Sequence, residues 1–181
     1  MGASTDFYFD PVLTGATLRV RPIRSDEFAA LYAVAADPLM WVQHPAKNRA
    51  ERDVFEGWFN SALEQHALVV EELSTRRVIG SSRYYHWDPA AREVSIGYSF
   101  LARDHWGGAA NAEMKRLMLA HAFKCADVVW FHVDPGNTRS RRAMEKIGAT
   151  LSHTGAIAIN GEVPKEYVFY RIDAPAPRVN G

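Results

Sequence analysis

The chain has 181 residues, of which 48% are hydrophobic, and its 21 basic residues balance its 21 acidic ones. This length is enough for one well-buried core and short for two domains, and a neutral chain gives no electrostatic reason to expect a nucleic acid or an anionic membrane as a partner. Cys125 is the single cysteine, which excludes an intrachain disulfide and a cysteine-based zinc site, and no apolar run reaches the roughly 18 residues of a membrane span.

In chain order, the first half of the sequence predicts an arm, one strand, two helices and three further strands. Residues 17–23 alternate apolar and polar side chains up to Pro22, as a short strand does. Residues 25–36 and 49–65 carry apolar side chains at helical spacing, and Ser25 is a candidate N-cap of the first helix. The three further strands are predicted at 67–72, 77–87 and 93–101.

The second half alternates helices and strands and ends in a hairpin. It predicts helices within 105–123 and 140–148, and strands at 128–133, 151–159 and 166–172, with Asn160-Gly161 as the hairpin turn. Gly148 is the expected stop of the second of these helices. The order of elements indicates an α/β (α+β mixed) fold with one central sheet. We predict a single domain at 17–173, preceded by an arm at 1–16 and followed by a flexible tail at 174–181.

Four consecutive small residues precede the helix within 105–123. They are Gly107, Gly108, Ala109 and Ala110. The first turn of a helix has unpaired N–H groups and a partial positive charge, so small residues there let an anion approach closely. The pattern suits a phosphate or pyrophosphate, or it simply makes a tight turn. Its glycine spacing matches neither the P-loop nor the dinucleotide-binding motif.

A second motif, "NTRSRRAMEKIGA" at 137–149, starts with Asn137 in a turn and offers Ser140 as an N-cap candidate. Together the two motifs resemble the GNAT superfamily of acyl-CoA N-acyltransferases, and within it the Rim-type branch of ribosomal-protein N-terminal acetyltransferases. The resemblance runs from about Leu18 to Ile172. The matched residues are Trp106-Gly107, Glu113, Asn137, Ser140, Glu145, Lys146 and Gly148.

This resemblance implies a mostly antiparallel, twisted sheet with splayed middle strands, acetyl-CoA as co-substrate and no metal. The backbone of Phe100 and Leu101 would bind the pantetheine arm, and the loop from Trp106 to Asn111 would bind the pyrophosphate. Ala109 stands where the family usually has Gly, and Asn111 stands where it usually has Gly or Ala. Asn111 would either cap the helix or bind the phosphate itself.

The arginines at the start of the last helix form a basic cluster. They are Arg139, Arg141 and Arg142. Arg142 is the residue that we assign to the cofactor, where it would meet the 3′-phosphate of CoA. The alternative is a solvated helix face.

The resemblance also guides the search for catalytic groups. Many GNAT enzymes carry a Tyr as general acid where this chain has Met144, so Ser140 is the substitute candidate for protonating the CoA sulfur, with Asn137 positioning the pantetheine. Both residues are also candidate helix caps. Capping and catalysis are compatible.

The general base is less defined. Rim-type proteins often carry Glu where this chain has Ser95, which could hold a water, and Glu93 should face the same side of the strand. His44 is favoured among the histidines because its loop borders the acceptor site in related folds. His86 and His132 are chemical alternatives, each of the three could be structural, and an amine could also be delivered neutral through a water chain.

We therefore expect a cytoplasmic acetyl-CoA-dependent N-acetyltransferase, monomeric or homodimeric, that moves an acetyl group to a primary amine by direct attack in a ternary complex. The acceptor would be a protein N-terminus or a small-molecule amine. One alternative is a CoA-binding sensor or interaction module with little turnover. Another is a scaffold in which both motifs are only turns and caps.

Overall fold

Four α-helices pack around one eight-stranded sheet in the computed structural model of the protein, which describes residues 6–159 and 162–176. The strands are β1 (Leu13–Thr14), β2 (Leu18–Pro22), β3 (Leu68–Glu72), β4 (Val78–Asp88), β5 (Glu93–Leu101), β6 (Val128–Val133), β7 (Thr150–Ile157) and β8 (Lys165–Asp173). The α-helices are α1 (Phe28–Ala35), α2 (Arg52–Glu64), α3 (Ala110–Ala122) and α4 (Thr138–Lys146).

Most elements lie where the sequence predicts them, with two differences at the amino-terminal end. The short strand β1 lies within the segment predicted as an arm and pairs with β2. Ser25 is not an N-cap, because it begins a 3₁₀ turn whose cap position is Arg24. The Glu27 carboxylate accepts a hydrogen bond from the Arg24 backbone N–H at 2.9 Å, so a serine hydroxyl is not needed there. The predicted Asn160-Gly161 turn lies outside the described residues.

The sheet has the order β1-β2-β3-β4-β5-β6-β8-β7, and β5–β6 is its one parallel pair. The predicted mostly antiparallel sheet is confirmed. Strands β5 and β6 pair only over Glu93–Ser95 and Val128–Trp130. Beyond that point β5 stays with β4 and β6 stays with β8, so the facing edges of residues 96–101 and 131–133 are not paired with each other. This divergence is the predicted splay.

The helices cover the two faces of the sheet with separate apolar clusters. Met114 and Met118 of α3 pack into one cluster, while Phe55 and Phe59 of α2 pack with α1 into the other. Burying a side chain of that size contributes about 1.5–3 kcal/mol relative to leaving it exposed. Strand β5 contributes to both clusters, through Ile96 and Leu101 to the first and Phe100 to the second, whereas the residues of β6 that join a cluster belong to the first. Within the described residues, no helix is long and apolar enough to cross a membrane.

Candidate active site

Two cavities meet where β5 and β6 diverge. The loop cavity, of about 440 Å³, lies between the start of α3, the end of β5 and α4. The inner cavity, of about 350 Å³, lies between the diverging strands and the segment 41–49. Residues that line both cavities include Trp41, His44, Ser99, Phe100, Asn111, Asn137 and Ser140. The gap between the strands is therefore open from both sides at the unpaired edge of β5.

The loop cavity ends at a bare helix N-terminus. Helix α3 begins at Ala110, and its cap residue, Ala109, makes no side-chain cap hydrogen bond. The N–H groups of the first turn are therefore left to a ligand or to water. Gly107 has φ +73°, a conformation that favours glycine, and it turns the chain into the helix. Asn111 is not the cap residue, since it lies inside the first turn, where it lines both cavities.

Trp106 fixes this loop to the strand before it. Its indole Nε1 donates a hydrogen bond to the carbonyl oxygen of Leu101 at 2.8 Å. The guanidinium carbon of Arg139 lies 3.9 Å from the Trp106 ring centroid, and Arg139 Nη2 donates to the carbonyl oxygen of Met40 at 2.8 Å. Loop, β5 and α4 are thus joined through one indole ring.

Glu113, matched by motif, ties α3 to the sheet. Its carboxylate accepts hydrogen bonds from the backbone N–H of Thr17 at 2.9 Å and of Leu18 at 3.2 Å. Burial raises the pKa of this carboxyl, but the hydrogen bonds from Thr17 and its neighbours outweigh it, and the net effect is a lowered pKa. The acidic residue of the motif therefore anchors the helix that presents the loop.

Strand β5 is irregular at the cavities. Its register against β4 shifts between the partners of Ser81 and Arg83, and Tyr98 in this bulge has φ +53°. The next residue, Ser99, points its hydroxyl at Ser82, with 2.7 Å between the two Oγ atoms. The bulge precedes Phe100 and Leu101, which both line the loop cavity.

Helix α4 begins at the cavities with Asn137. The buried Asn137 is the N-cap, and its Oδ1 accepts a hydrogen bond from the backbone N–H of Ser140 at 3.1 Å. Ser140 is not the cap, because the asparagine takes that role three residues earlier. The Ser140 hydroxyl has no hydrogen-bond partner among the described residues and lines both cavities. Met144 is buried and lines the inner cavity.

His44 and His132 lie at the inner cavity as weak bases. Burial lowers the pKa of each to about 4, with the charge of Arg49 adding to the effect at His44. His44 Nδ1 accepts a hydrogen bond from the Ala46 N–H at 2.9 Å, and His132 Nδ1 lies 2.7 Å from the Tyr85 hydroxyl. Both imidazoles are neutral at pH 7.

Three other base candidates do not line either cavity. Glu93 and Ser95 lie at the end of β5 that pairs with β6, and the Glu93 carboxylate accepts a hydrogen bond from Trp130 Nε1 at 2.9 Å. Ser95 is buried in the sheet. His86 lies near the far end of β4 and is exposed. The structure does not bring these three residues together with Asn137 and Ser140.

The basic cluster of α4 divides into three different environments. Arg139 stacks on Trp106, and Arg141 Nε donates to the Tyr170 hydroxyl at 3.2 Å. Arg142 lines the loop cavity and has no ion-pair or hydrogen-bond partner in the part of the chain that the structure describes. Of the three, Arg142 is the arginine left free for an anionic ligand.

Sequence reasoning missed Lys115, which lines the inner cavity. Its side chain is buried although its residue type rarely is, with 2% of the residue exposed. A signal was present in the sequence, because Lys115 falls between Met114 and Met118 on the helix and four residues after Asn111.

Comparison with known families gives one match that covers most of the chain. A sequence profile described as "Acetyltransferase (GNAT) domain" matches residues 17–150. No curated protein matches the sequence.

Solved structures share the fold at low sequence identity. A GCN5-related N-acetyltransferase from Brucella melitensis is 18% identical, with a TM-score of 0.78 over 91% of this chain and 79% of that one. RimJ from Mycobacterium smegmatis, solved with CoA-disulfide, is 18% identical, with a TM-score of 0.64 over 92% of this chain and 87% of that one. A spermidine N-acetyltransferase from Vibrio cholerae, solved with CoA and spermine, is 15% identical, with a TM-score of 0.66 over 88% of this chain and 97% of that one.

Proposed function

The chain belongs to the GNAT acetyltransferase family and is an acyl-CoA-dependent N-acetyltransferase, and we propose that it moves the acetyl group of acetyl-CoA to a primary amine by direct attack in a ternary complex. The acceptor amine belongs to a small molecule or to the N-terminus of a peptide. One observation carries the proposal: a cavity that ends at a bare helix N-terminus joins a second cavity at the unpaired edge of β5.

The loop cavity fits the CoA portion of the donor. The first turn of α3 offers backbone N–H groups and a partial positive charge to the pyrophosphate. Arg142 at the rim is free for the 3′-phosphate. The edge of β5 at Phe100 and Leu101 is the surface along which the pantetheine arm would lie, since a strand edge presents peptide groups to an amide-containing chain.

The junction of the cavities holds the groups that would serve the leaving thiolate. Ser140 carries a free hydroxyl at the start of α4, close to the α4 N-terminus, which favours negative charge. Asn137 holds that first turn in place through its cap bond. We propose Ser140 as the proton donor to the CoA sulfur and Asn137 as a positioning residue. The Ser140 hydroxyl would replace that of the tyrosine which many GNAT enzymes carry where this chain has Met144.

The inner cavity would receive the acceptor amine. The amine attacks only when neutral, so a proton must leave it first. His44 is a possible acceptor of that proton by position, but a pKa of about 4 makes it a weak one. Two acetyltransferases of this fold support a CoA donor and an amine acceptor, since one was solved with CoA-disulfide and the other with CoA and spermine.

The test is an acetyl-transfer assay with four amines of different classes: spermidine, lysine amide, glucosamine and the tripeptide Ser-Ala-Ala. Thiol release is measured together with the mass of the acceptor. We expect one amine at least to gain an acetyl group with an equal release of thiol. Binding of acetyl-CoA in a calorimeter with no release for any of the four would instead favour a CoA-binding module. Absence of binding at millimolar acetyl-CoA would contradict both functions.

A further inference from the structure

Lys115 places a buried amine beneath the junction of the two cavities. It lies one helical turn after Asn111, and 2% of the residue is exposed. Its Nζ lies 2.5 Å from the Oγ of Ser99 on β5 and 5.5 Å from the ring centroid of Phe131 on β6. The amine therefore bridges from α3 to both strands at the place where they part.

Ser99 lies beside this amine and is the more accessible of the two residues. It is exposed and lines both cavities, whereas Lys115 is buried and lines only the inner one. The Ser99 hydroxyl also lies 2.7 Å from the Oγ of Ser82, so three polar groups form a chain from Lys115 to β4. A serine hydroxyl both donates and accepts, so it can pass a proton between the cavity and the lysine.

No carboxylate in the described part of the chain forms an ion pair with Lys115, so no negative charge stabilises its protonated form. The two carboxylates that line the inner cavity affect other groups. Asp134 offsets a small part of the lowering of the His44 pKa, and Glu162 does the same for the pKa of Arg49. Burial alone acts on Lys115 and lowers its pKa from 10.5 to about 7.

The remaining titratable or charged groups around the inner cavity are cationic, neutral or phenolic. They are His132, Lys165, Tyr85, Tyr98 and Tyr167. Burial keeps His132 neutral and raises the pKa of Tyr85 and of Tyr167, so none of these three supplies a negative charge near pH 7. A residue that only filled space at position 115 would be apolar, like Met114 and Met118 beside it.

We propose that Lys115 accepts the proton of the acceptor ammonium through the Ser99 hydroxyl. This inference rests on the proposed function. The ammonium R–NH₃⁺ passes one proton to Nζ, which becomes –NH₃⁺. The free amine then forms the C–N bond, the C–S bond breaks, and the second proton of the nitrogen ends on the thiolate sulfur. The lysine afterwards returns its proton to water. The sum is R–NH₃⁺ plus the acetyl thioester giving the acetamide, the thiol and one H⁺.

The kinetic test replaces Lys115 with methionine and uses the fastest acceptor of the four amines above. We expect Lys115→Met to lower kcat/KM about 100-fold at pH 7, within the range of general base catalysis. The rise of kcat/KM with pH through about 7 should disappear. At pH 9.5 and above, where the acceptor loses its proton unaided, the difference from the wild type should shrink to about threefold. A loss that is the same at every pH would mean a structural role and would overturn the proposal.

Controls separate folding and cofactor binding from proton transfer. Methionine fills the same space without a buried charge, so Lys115→Met should fold at least as stably as the wild type and bind acetyl-CoA within about twofold. Lys124→Met removes an exposed lysine just beyond the same helix and should leave the pH profile unchanged. Ser99→Ala should lower kcat/KM about tenfold, because the relay is interrupted while the lysine remains.

A second measurement needs no acceptor and so stands even if the proposed function fails. Protein carrying ¹⁵N-labelled lysine is titrated by NMR, and the Lys115 signal is assigned by its loss in Lys115→Met. Titration near pH 7 supports the proposal, and titration above pH 9 overturns it. Intact mass after incubation with acetyl-CoA completes the test: acetylation of the wild type but not of Lys115→Met would make Lys115 an acyl acceptor instead.

Discussion

The indole Nε1 of Trp106 donates a hydrogen bond to the carbonyl oxygen of Leu101 at 2.8 Å. This bond joins the two segments assigned to the cofactor, because Leu101 ends β5 and Trp106 begins the loop before α3. A ligand that spans both segments meets a loop whose distance from the strand is already fixed. Such prior ordering reduces the entropy lost on binding.

Trp106→Phe should weaken acetyl-CoA binding about 3- to 10-fold, because one hydrogen bond of about 1 kcal/mol that fixes the loop is removed while an aromatic ring remains beside Arg139. Calorimetric titration measures the change. Trp130→Phe is the matched control, since its indole also donates, to Glu93 at 2.9 Å, at the opposite end of β5. Equal losses of affinity in the two variants would show that the effect is not specific to the loop.

Gly107→Ala should lower the free energy of unfolding by about 1 kcal/mol, because φ +73° is strained for a residue with a Cβ. No atom lies within 4 Å of that Cβ, so the cost is conformational. Gly108→Ala should be neutral or slightly stabilising, since its Cβ would lie 3.7 Å from the His105 carbonyl oxygen and its φ is not positive. Urea unfolding of both variants measures the two free energies. A Gly108→Ala variant less stable than Gly107→Ala would contradict this account of the loop.

Arg142→Ala should weaken binding of acetyl-CoA about 10-fold but leave the affinity for acetyl-dephospho-CoA, which lacks the 3′-phosphate, unchanged. The reason is that Arg142 lines the loop cavity without a partner in the described chain, so its charge is free for that phosphate. Arg141→Ala should affect stability rather than affinity, because Arg141 bonds Tyr170. If Arg142→Ala weakened both ligands equally, the assignment to the 3′-phosphate would be wrong.

The free energy of unfolding should fall as the pH drops from about 6.5 towards 4. In the folded protein the pKa of His44 and that of His132 are about 4, below their ordinary value of 6.5. In this window the unfolded chain binds protons that the folded chain does not, so each histidine contributes up to about 1.4 kcal/mol per pH unit. Denaturation at a series of pH values should show a shallower decline in His44→Gln and in His132→Gln. Between pH 7 and 8, where both histidines are neutral, these substitutions should not change the slope.

The order of elements could be predicted because it depends on local patterns. The alternation of residues 93–101, the helical spacing after Gly107 and the stop at Gly148 each need only neighbours along the chain. The two motifs also identified the segments that line the loop cavity. The N-caps were less predictable, because Asn137 and Glu27 make bonds to backbone three residues away that compete with the serines nearby.

What the sequence determined by itself was therefore the fold class, the family resemblance and the segments that line the loop cavity. Tertiary structure decided which side chains share the cavity, because that depends on where β5 stops pairing with β6. Glu93 and Ser95 fall on the paired side of that point, while Ser99 falls on the open side. The same divergence opens the inner cavity, which Lys115 lines. Burial there lowers the pKa of its amine, and burial depends on the tertiary packing rather than on any local pattern.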